Sequence, residues 1–289
     1  MGVSFNRGLE PSHLADLQTG VTAPILAACR AARLDVRLRE RRLTGYFAGR
    51  AVVTLRWPQG LATLDVDHKY VDPGGLPGHT RSSSGDDVSV RITPELVARF
   101  PAELARLMAN AGRYAHHDER CEQQFLRENA GNGAFVAIDR QVGIPGTRSI
   151  VDVVGVVDGA RPSLVIVELK RDLDNSIEET PALVSRYLSY FSPGGRGLRD
   201  DVARSLTTVA EQLTALGFPT PPPAAIGAGM PVLGLVVLVR HNPRSQLLGR
   251  AKVSADALAH PIWLWIPEKE DDLAIPSQDR WTRMGSGQG

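Results

Sequence analysis

SIVDVVGVV (149–157) and SLVIVELK (163–170) decide how the second half of the chain folds. Both are short apolar runs bounded by turn residues, the pattern of strands in a sheet. Side chains alternate faces along a strand, so Leu164, Ile166, Glu168 and Lys170 share one face while Val165, Val167 and Leu169 share the other. Around this pair the sequence predicts a helix over Asp118–Asn129 and a strand over 134–142 (AFVAIDRQV). Beyond it come helices over 177–192 and 199–216, a Pro/Gly-rich loop over 217–231, and strands at 232–240 and 262–266. Gly143–Gly146 and Asp158-Gly159 punctuate the three central strands. The order is that of a mixed α/β core with a central sheet.

The first third reads differently. A short helix is expected over Pro24–Arg33. From Leu34 to Asp67 the runs LDVRLRE, LTGYFAG, RAVVTLRW and LATLDVD alternate with period two and suggest an antiparallel meander. Asp72–Asp87, dense in Gly, Pro and Ser, reads as an exposed loop, and VSVRI (88–92) as a further strand. Thr93-Pro94-Glu95 opens a helix with an N-cap and Pro at its first position, reaching about Tyr114. The expected domains are a β-rich N-terminal domain over 1–116, for substrate or partner binding or dimerisation, and an α/β domain over 117–289.

With 289 residues, 43% of them hydrophobic and 22% charged, the chain has the composition of a globular protein. Its apolar runs fall short of the ~20 residues of a membrane helix. The N-terminus lacks the apolar stretch of a signal peptide, and Asn6 departs from the Ser/Thr of a myristoylation motif. Cys29 and Cys121 cannot alone form a disulfide scaffold or a zinc site. The expected location is cytoplasmic, with no membrane partner. No Walker or Rossmann glycine pattern occurs, Ser82–Ser84 lack a G-X-S-X-G elbow, and His116-His117 have only isolated carboxylates nearby.

Net charge is +1, but Arg30–Arg56 holds eight arginines against Asp35 and Glu40. That segment suits nucleic-acid phosphate, or equally a solvated face of a β domain. Basic residues are mostly Arg: the lysines are Lys69, Lys170, Lys252 and Lys269. A Lys kept inside an apolar strand suggests a need for a compact ammonium, and Lys170 is that residue.

Three charges stand in the two decisive strands: Asp152, Glu168 and Lys170. Scattered and unpaired in an apolar interior they would cost several kcal/mol. Gathered at one rim around a divalent cation, most of that cost disappears. Two carboxylates and a backbone carbonyl suit Mg²⁺ or Mn²⁺, and Lys170 would orient a water or stabilise charge developing on a phosphate. The plain alternative is a structural ion pair at a strand end.

These residues resemble the PD-(D/E)XK nuclease superfamily over roughly residues 115–240. The matching pieces are Glu119 and Glu122 in DERCEQQFLREN, Asp152 in SIVDVVGVV, and Glu168-Leu169-Lys170 in SLVIVELKRD; Val151 stands where the family's name-giving Pro would be. The resemblance implies a restriction-endonuclease-like mixed sheet flanked by helices. It implies Asp152, Glu168 and the Leu169 carbonyl as metal ligands, Lys170 as catalytic lysine, and Glu122 as the first-helix carboxylate, with Glu119 competing for that role. In finer detail FLREN, IDRQV, DVVGVVD and VIVELKR are similar to mismatch-cutting endonucleases, in which Gln141 would lie near the site. Glu119-X-X-X-Gln123-X-X-Leu126 with ELKR is similar to Shedu-type antiphage nucleases. Both usually carry a Gln and a Tyr on the helix after the ELK strand; PALVSRYLSY keeps Tyr187 and has no Gln.

The expected function is a Mg²⁺- or Mn²⁺-dependent DNA endonuclease in repair or phage defence, acting as a homo-oligomer (dimer or higher). The alternative is a nucleic-acid-binding or interaction module with a nuclease-like fold and no cleavage. Lys69, Arg81 and Arg148 are candidate nucleic-acid contacts.

Overall fold

The computed structural model describes residues 7–39, 41–72, 75–76, 79–81, 87–131, 133–144, 147–157, 162–171, 175–191, 198–218, 229–269 and 272–285. By internal contacts the chain forms two units, Arg7–Gln123 with Ala215–Gly217, and Gln124–Thr214 with Phe218–Gly289. The sequence places the boundary at 116/117, before a helix; the division by contacts falls inside that helix.

In the N-terminal unit, α1 (Pro11–Thr19) and α2 (Ala23–Ala31) precede β1 (Asp35–Arg39), β2 (Arg42–Phe47), β3 (Arg50–Arg56), β4 (Thr63–Asp67), β5 (His79–Arg81) and β6 (Asp87–Arg91). All pairings are antiparallel, in the order β1-β2-β3-β4-β6-β5. Period-two alternation gives the sheet two unlike faces. Leu38, Leu43, Leu55, Leu64 and Val90 stand opposite one another across five strands and are buried. The residues between them, Arg37, Thr44, Thr54, Asp65 and Ser89, form a polar line on the other face. Helix α3 (Pro94–Tyr114) starts where Thr93 Oγ1 accepts from the Leu96 amide at 3.2 Å. Its buried Leu96, Phe100, Leu104, Leu107 and Ala111 recur at helical spacing, and the helix packs on β2 and β3.

Two elements here differ from the sequence reading. β5 lies within the stretch read as loop, because three residues show no periodicity and only pairing with β6 makes them a strand. α1 also goes unread, since it buries only His13 and Leu17.

The C-terminal unit continues from α4 (His117–Glu128) into β7 (Phe135–Gly143), β8 (Ile150–Val157) and β9 (Ser163–Arg171). Then follow α5 (Thr180–Phe191), α6 (Leu198–Ala215), β10 (Val232–Val239), α7 (Leu247–Asp256), β11 (Ile262–Trp265) and β12 (Thr282–Met284). The strand order is β12-β11-β10-β9-β8-β7. β7, β8 and β9 form an antiparallel meander, β9, β10 and β11 run parallel, and β12 returns antiparallel. The protein is thus mixed α/β with two sheets. α7 and β12 are additional to the sequence reading; α7 buries only Leu248, Ala251 and Ala255, too narrow a stripe to stand out.

Two glycines mark close approaches. A Cβ on Gly234 of β10 would lie 2.4 Å from Val184 Cγ1, so α5 crosses the sheet there. A Cβ on Gly155 of β8 would lie 2.3 Å from Phe135 Cζ and 2.5 Å from the Val136 carbonyl. The C-terminal segment is held by Asn129, whose Nδ2 donates to the Leu273 carbonyl at 2.7 Å while its Oδ1 accepts from the Ile275 amide at 2.9 Å. Among the described residues no helix is long and apolar enough to cross a membrane.

Gly155→Ala is expected to destabilise the C-terminal unit by about 1–3 kcal/mol, because backbone as well as ring must yield; a thermal scan should show a fall of several degrees, and an unchanged midpoint would contradict this packing. In α2 burial pushes the Cys29 thiol up to about 12. Only the thiolate is nucleophilic, so at pH 8 a thiol reagent should leave Cys29 untouched in the native protein and modify it once denatured.

Candidate functional site

Sheet register brings the charges of β8 and β9 together. The two strands pair from Val157↔Ser163 to Val153↔Val167, and the register stops there. At the next position Asp152 and Glu168 project from the same face, since directly opposed residues share a face and alternate along the strand. Beyond the ladder's end, the Leu169 amide donates to Asp152 Oδ2 at 2.9 Å. A side-chain carboxylate thus takes a backbone donor where strand pairing ends. Lys170, two residues past Glu168 and on its face, sets its Nζ 3.1 Å from Glu168 Oε1.

Position in the sheet accounts for the burial. β9 has β8 on one side and β10 on the other, with Glu168 opposite Val236 and Lys170 opposite Leu238. Glu168 is 4% exposed, and the Lys170 side chain 16%. A carboxylate buried this deeply requires a cation close by, because the effective penalty for desolvating an ion is several kcal/mol. Lys170 supplies one.

Tyr187 of α5 also belongs here. Its hydroxyl donates to the Ile150 carbonyl at 2.9 Å, two residues before Asp152. Burial, then the nearby Glu168 and Asp152 carboxylates, hold its phenol well above the usual tyrosine range. Gln141 lies between the pairs Arg140↔Val153 and Val142↔Val151, across from Asp152, with an exposed side chain and a φ of 50°. Left-handed backbone at a non-glycine residue within a strand is a local strain.

Asp139 was not singled out in the sequence. It stands opposite Val154, on the face that carries Asp152, and is fully buried. Its Oδ1 accepts from the Arg140 amide at 2.7 Å. The signal was weaker than for Asp152, because Arg140 and Gln141 follow Asp139 where apolar residues follow Asp152.

The other candidates are described by their own surroundings. Glu119 faces the N-terminal sheet: it pairs with Arg50 at 2.8 Å, and its Oε2 accepts from the His116 amide at 2.9 Å. Glu122 lies on the part of α4 that belongs to the N-terminal unit. In that unit the Lys69 ammonium is held by the Asp67 carboxylate and stands 5.1 Å from the Tyr70 ring centroid. The hydrogen bond that its ammonium donates to Asp67 raises its pKa above that of an ordinary lysine. Arg148 is exposed in the turn between β7 and β8. Arg81 is on β5, and its side chain lies outside the described residues.

Among the described residues no three His, Cys, Asp or Glu side chains gather as a metal-holding group. The oxygen donors present, Asp152 and Glu168, still suit a hard divalent cation. Mg²⁺ is commonly bound through one or two carboxylates, with water and substrate phosphate completing its octahedron. Comparison with protein-family models, with curated proteins and with solved structures finds no match to this chain.

Tyr187→Phe removes the hydroxyl that satisfies the Ile150 carbonyl and is expected to cost about 0.5–1.5 kcal/mol. It should also change the alkaline limb of stability. A phenol held protonated in the fold releases its proton on unfolding, so stability falls as pH rises past the ordinary tyrosine value of about 10. The variant should show a shallower fall in denaturation midpoint between pH 9 and 11 (working range, roughly spanning that value); an identical slope would place the buried phenol elsewhere.

Proposed function

We propose that this protein is a Mg²⁺- or Mn²⁺-dependent nuclease that hydrolyses phosphodiester bonds in DNA, as an endonuclease of repair or phage defence. Its catalytic unit would be a restriction-endonuclease-like fold over residues 117–289. The observation that carries this reading is the convergence of Asp152, Glu168 and Lys170 at one strand end, linked by the Leu169–Asp152 and Lys170–Glu168 contacts. The topology supports it: an antiparallel β7-β8-β9 meander, helical crossover and parallel β10 leave the charged end of β9 in the middle of the sheet.

Asp152 and Glu168 would hold the cation, with the Leu169 carbonyl as a further oxygen. When bound, the ion supplies Lewis acidity to a phosphoryl oxygen and lowers the pKa of a water. The Leu169 amide fixes the rotation of the Asp152 carboxylate. Lys170, 3.1 Å from Glu168 Oε1, would turn its ammonium toward charge developing on the phosphate. Tyr187 steadies the β8 backbone next to Asp152.

The test is cleavage of supercoiled, linear and single-stranded DNA with Mg²⁺, Mn²⁺ or EDTA. Asp152→Asn retains an oxygen able to accept from Leu169 and removes only the charge, so it should fold normally and lose cutting by a factor of roughly 10² or more, the scale of losing a principal electrostatic contribution. Lys170→Arg should be similarly impaired, since a planar guanidinium does not replace a compact ammonium. Lys170→Ala exposes Glu168 to an uncompensated burial of about 3–5 kcal/mol, so its thermal midpoint is measured alongside. Metal-dependent cutting by the wild type that Asp152→Asn retains would refute the assigned site. Metal-independent DNA binding with no cutting would favour a binding module.

A further inference from the structure

The central sheet of the C-terminal unit forks at the candidate site. β8 and β9 pair only as far as Val153↔Val167. Past that point each strand keeps its outer partner: β8 stays with β7 to Gly143↔Ile150, and β9 stays with β10 to Val239↔Arg171. Two side chains satisfy backbone groups in the fork. Asp152 Oδ2 accepts from the Leu169 amide and the Tyr187 hydroxyl donates to the Ile150 carbonyl, both at 2.9 Å. One prong is therefore the β7–β8 ribbon, fixed at its base by residues of the site itself.

The tip of that ribbon is also braced. The Ile144 amide donates to the Ser149 carbonyl at 2.9 Å, and the Thr147 amide returns to the Ile144 carbonyl at 3.1 Å. Thr147 Oγ1 donates to the same carbonyl at 2.8 Å and accepts from the Ser149 amide at 3.0 Å. On this turn Arg148 is exposed, and no carboxylate among the described residues pairs with it. Two residues on, Ile150 is 51% exposed. It shares the face of Asp152 by period-two alternation, and its cross-strand neighbour is Gly143, where a Cβ would meet nothing within 4 Å. A β-branched side chain thus stands uncovered beside the carboxylate, with a cation beyond it. At about 3.4 Å per residue, Ile150 lies about 7 Å and Arg148 at most about 14 Å along the chain from Asp152. On one DNA strand, at about 3.4 Å of axis rise per nucleotide, these spans correspond to about two and about four nucleotides.

Building on the nuclease reading, we infer that the β7–β8 ribbon grips the DNA strand that carries the scissile phosphate: Arg148 binds a backbone phosphate a few nucleotides from the cleaved one, and Ile150 packs against the sugar and base edge between them. A guanidinium matches phosphate oxygens in hydrogen-bond geometry as well as charge. An apolar side chain has no use for phosphate and gains instead by covering the apolar part of the strand. Because the ribbon is braced at base and tip, little backbone freedom remains to be lost on binding.

Arg148→Gln, Ile150→Ser and Ile150→Leu in the full-length protein test the grip. Arg283→Gln serves as reference, since Arg283 is exposed on β12, four strands from β8. Binding of a labelled duplex of about 20 base pairs, well beyond the span of roughly four nucleotides, is measured in EDTA over a salt series. Arg148→Gln should lower affinity roughly tenfold at low salt and make the slope of log K against log salt shallower by about one, the share of one phosphate contact. Ile150→Ser should lower affinity roughly threefold to tenfold with the slope unchanged, since an apolar contact releases no counterion. Ile150→Leu keeps the apolar area and should match wild type, as should Arg283→Gln. Wild-type affinity in Arg148→Gln or in Ile150→Ser, an equal loss in Arg283→Gln, or no duplex binding by the wild type at low salt would overturn the grip. A loss in Ile150→Leu equal to that in Ile150→Ser would overturn the apolar contact. Cutting in Mg²⁺ is scored separately. Cutting by the wild type with unchanged binding in both variants leaves the nuclease and removes the grip; weakened binding with no cutting by the wild type leaves the ribbon as a DNA contact and removes the nuclease.

Discussion

The C-terminal unit depends on where the β8–β9 ladder ends. Up to Val153↔Val167 the two strands satisfy one another and both faces are apolar. Past that point the Leu169 amide needs another acceptor, and Asp152 supplies it. The carboxylate is thereby committed to the strand end, on the face shared with Glu168 and Lys170. One polar interaction closes the sheet and orients an ionisable group. Glu168 gains its counter-charge from its own strand, two residues on. The arrangement is economical in chain length, since two adjacent strands provide all three charges.

This local order explains what was legible in the sequence. A carboxylate inside SIVDVVGVV and the Glu-Leu-Lys end of SLVIVELK are exceptions to apolar runs, and period-two alternation is enough to put Glu168 and Lys170 on one face. Tyr187 could be placed near them only through resemblance, because α5 reaches the site by a tertiary crossing over Gly234. The competition between Glu119 and Glu122 depended on helix rotation, which sequence does not carry. In the structure the Glu119 carboxylate pairs with Arg50 and accepts from the His116 amide. Asp139 escaped because IDR looks like the ordinary polar end of a strand, whereas the β7–β8 register keeps it inside.

The N-terminal sheet shows the complementary case. Alternation made its strands readable one by one, and the arginine excess between Arg30 and Arg56 was plain. Which arginines stand side by side was not. Arg42, Arg56 and Arg91 are far apart in sequence and become neighbours only through the antiparallel register across β2, β3, β4 and β6. The partner of Lys69, Asp67, came into view only with the structure. Charge in a sequence counts ions; the pairing of strands decides which stand side by side.

The same distinction gives meaning to the choice of lysine at position 170. Most basic residues of the chain are arginine, whose head is planar and multiply donating. At the end of β9 the space is different. The side chain is largely buried, sits on the face of Glu168 and lies beside β10. A guanidinium there would carry more donors than an ammonium into a buried setting, and unsatisfied buried donors are costly. An ammonium concentrates its charge at one atom at the site's rim. The difference between the two basic residue types therefore follows from burial before any reaction is considered.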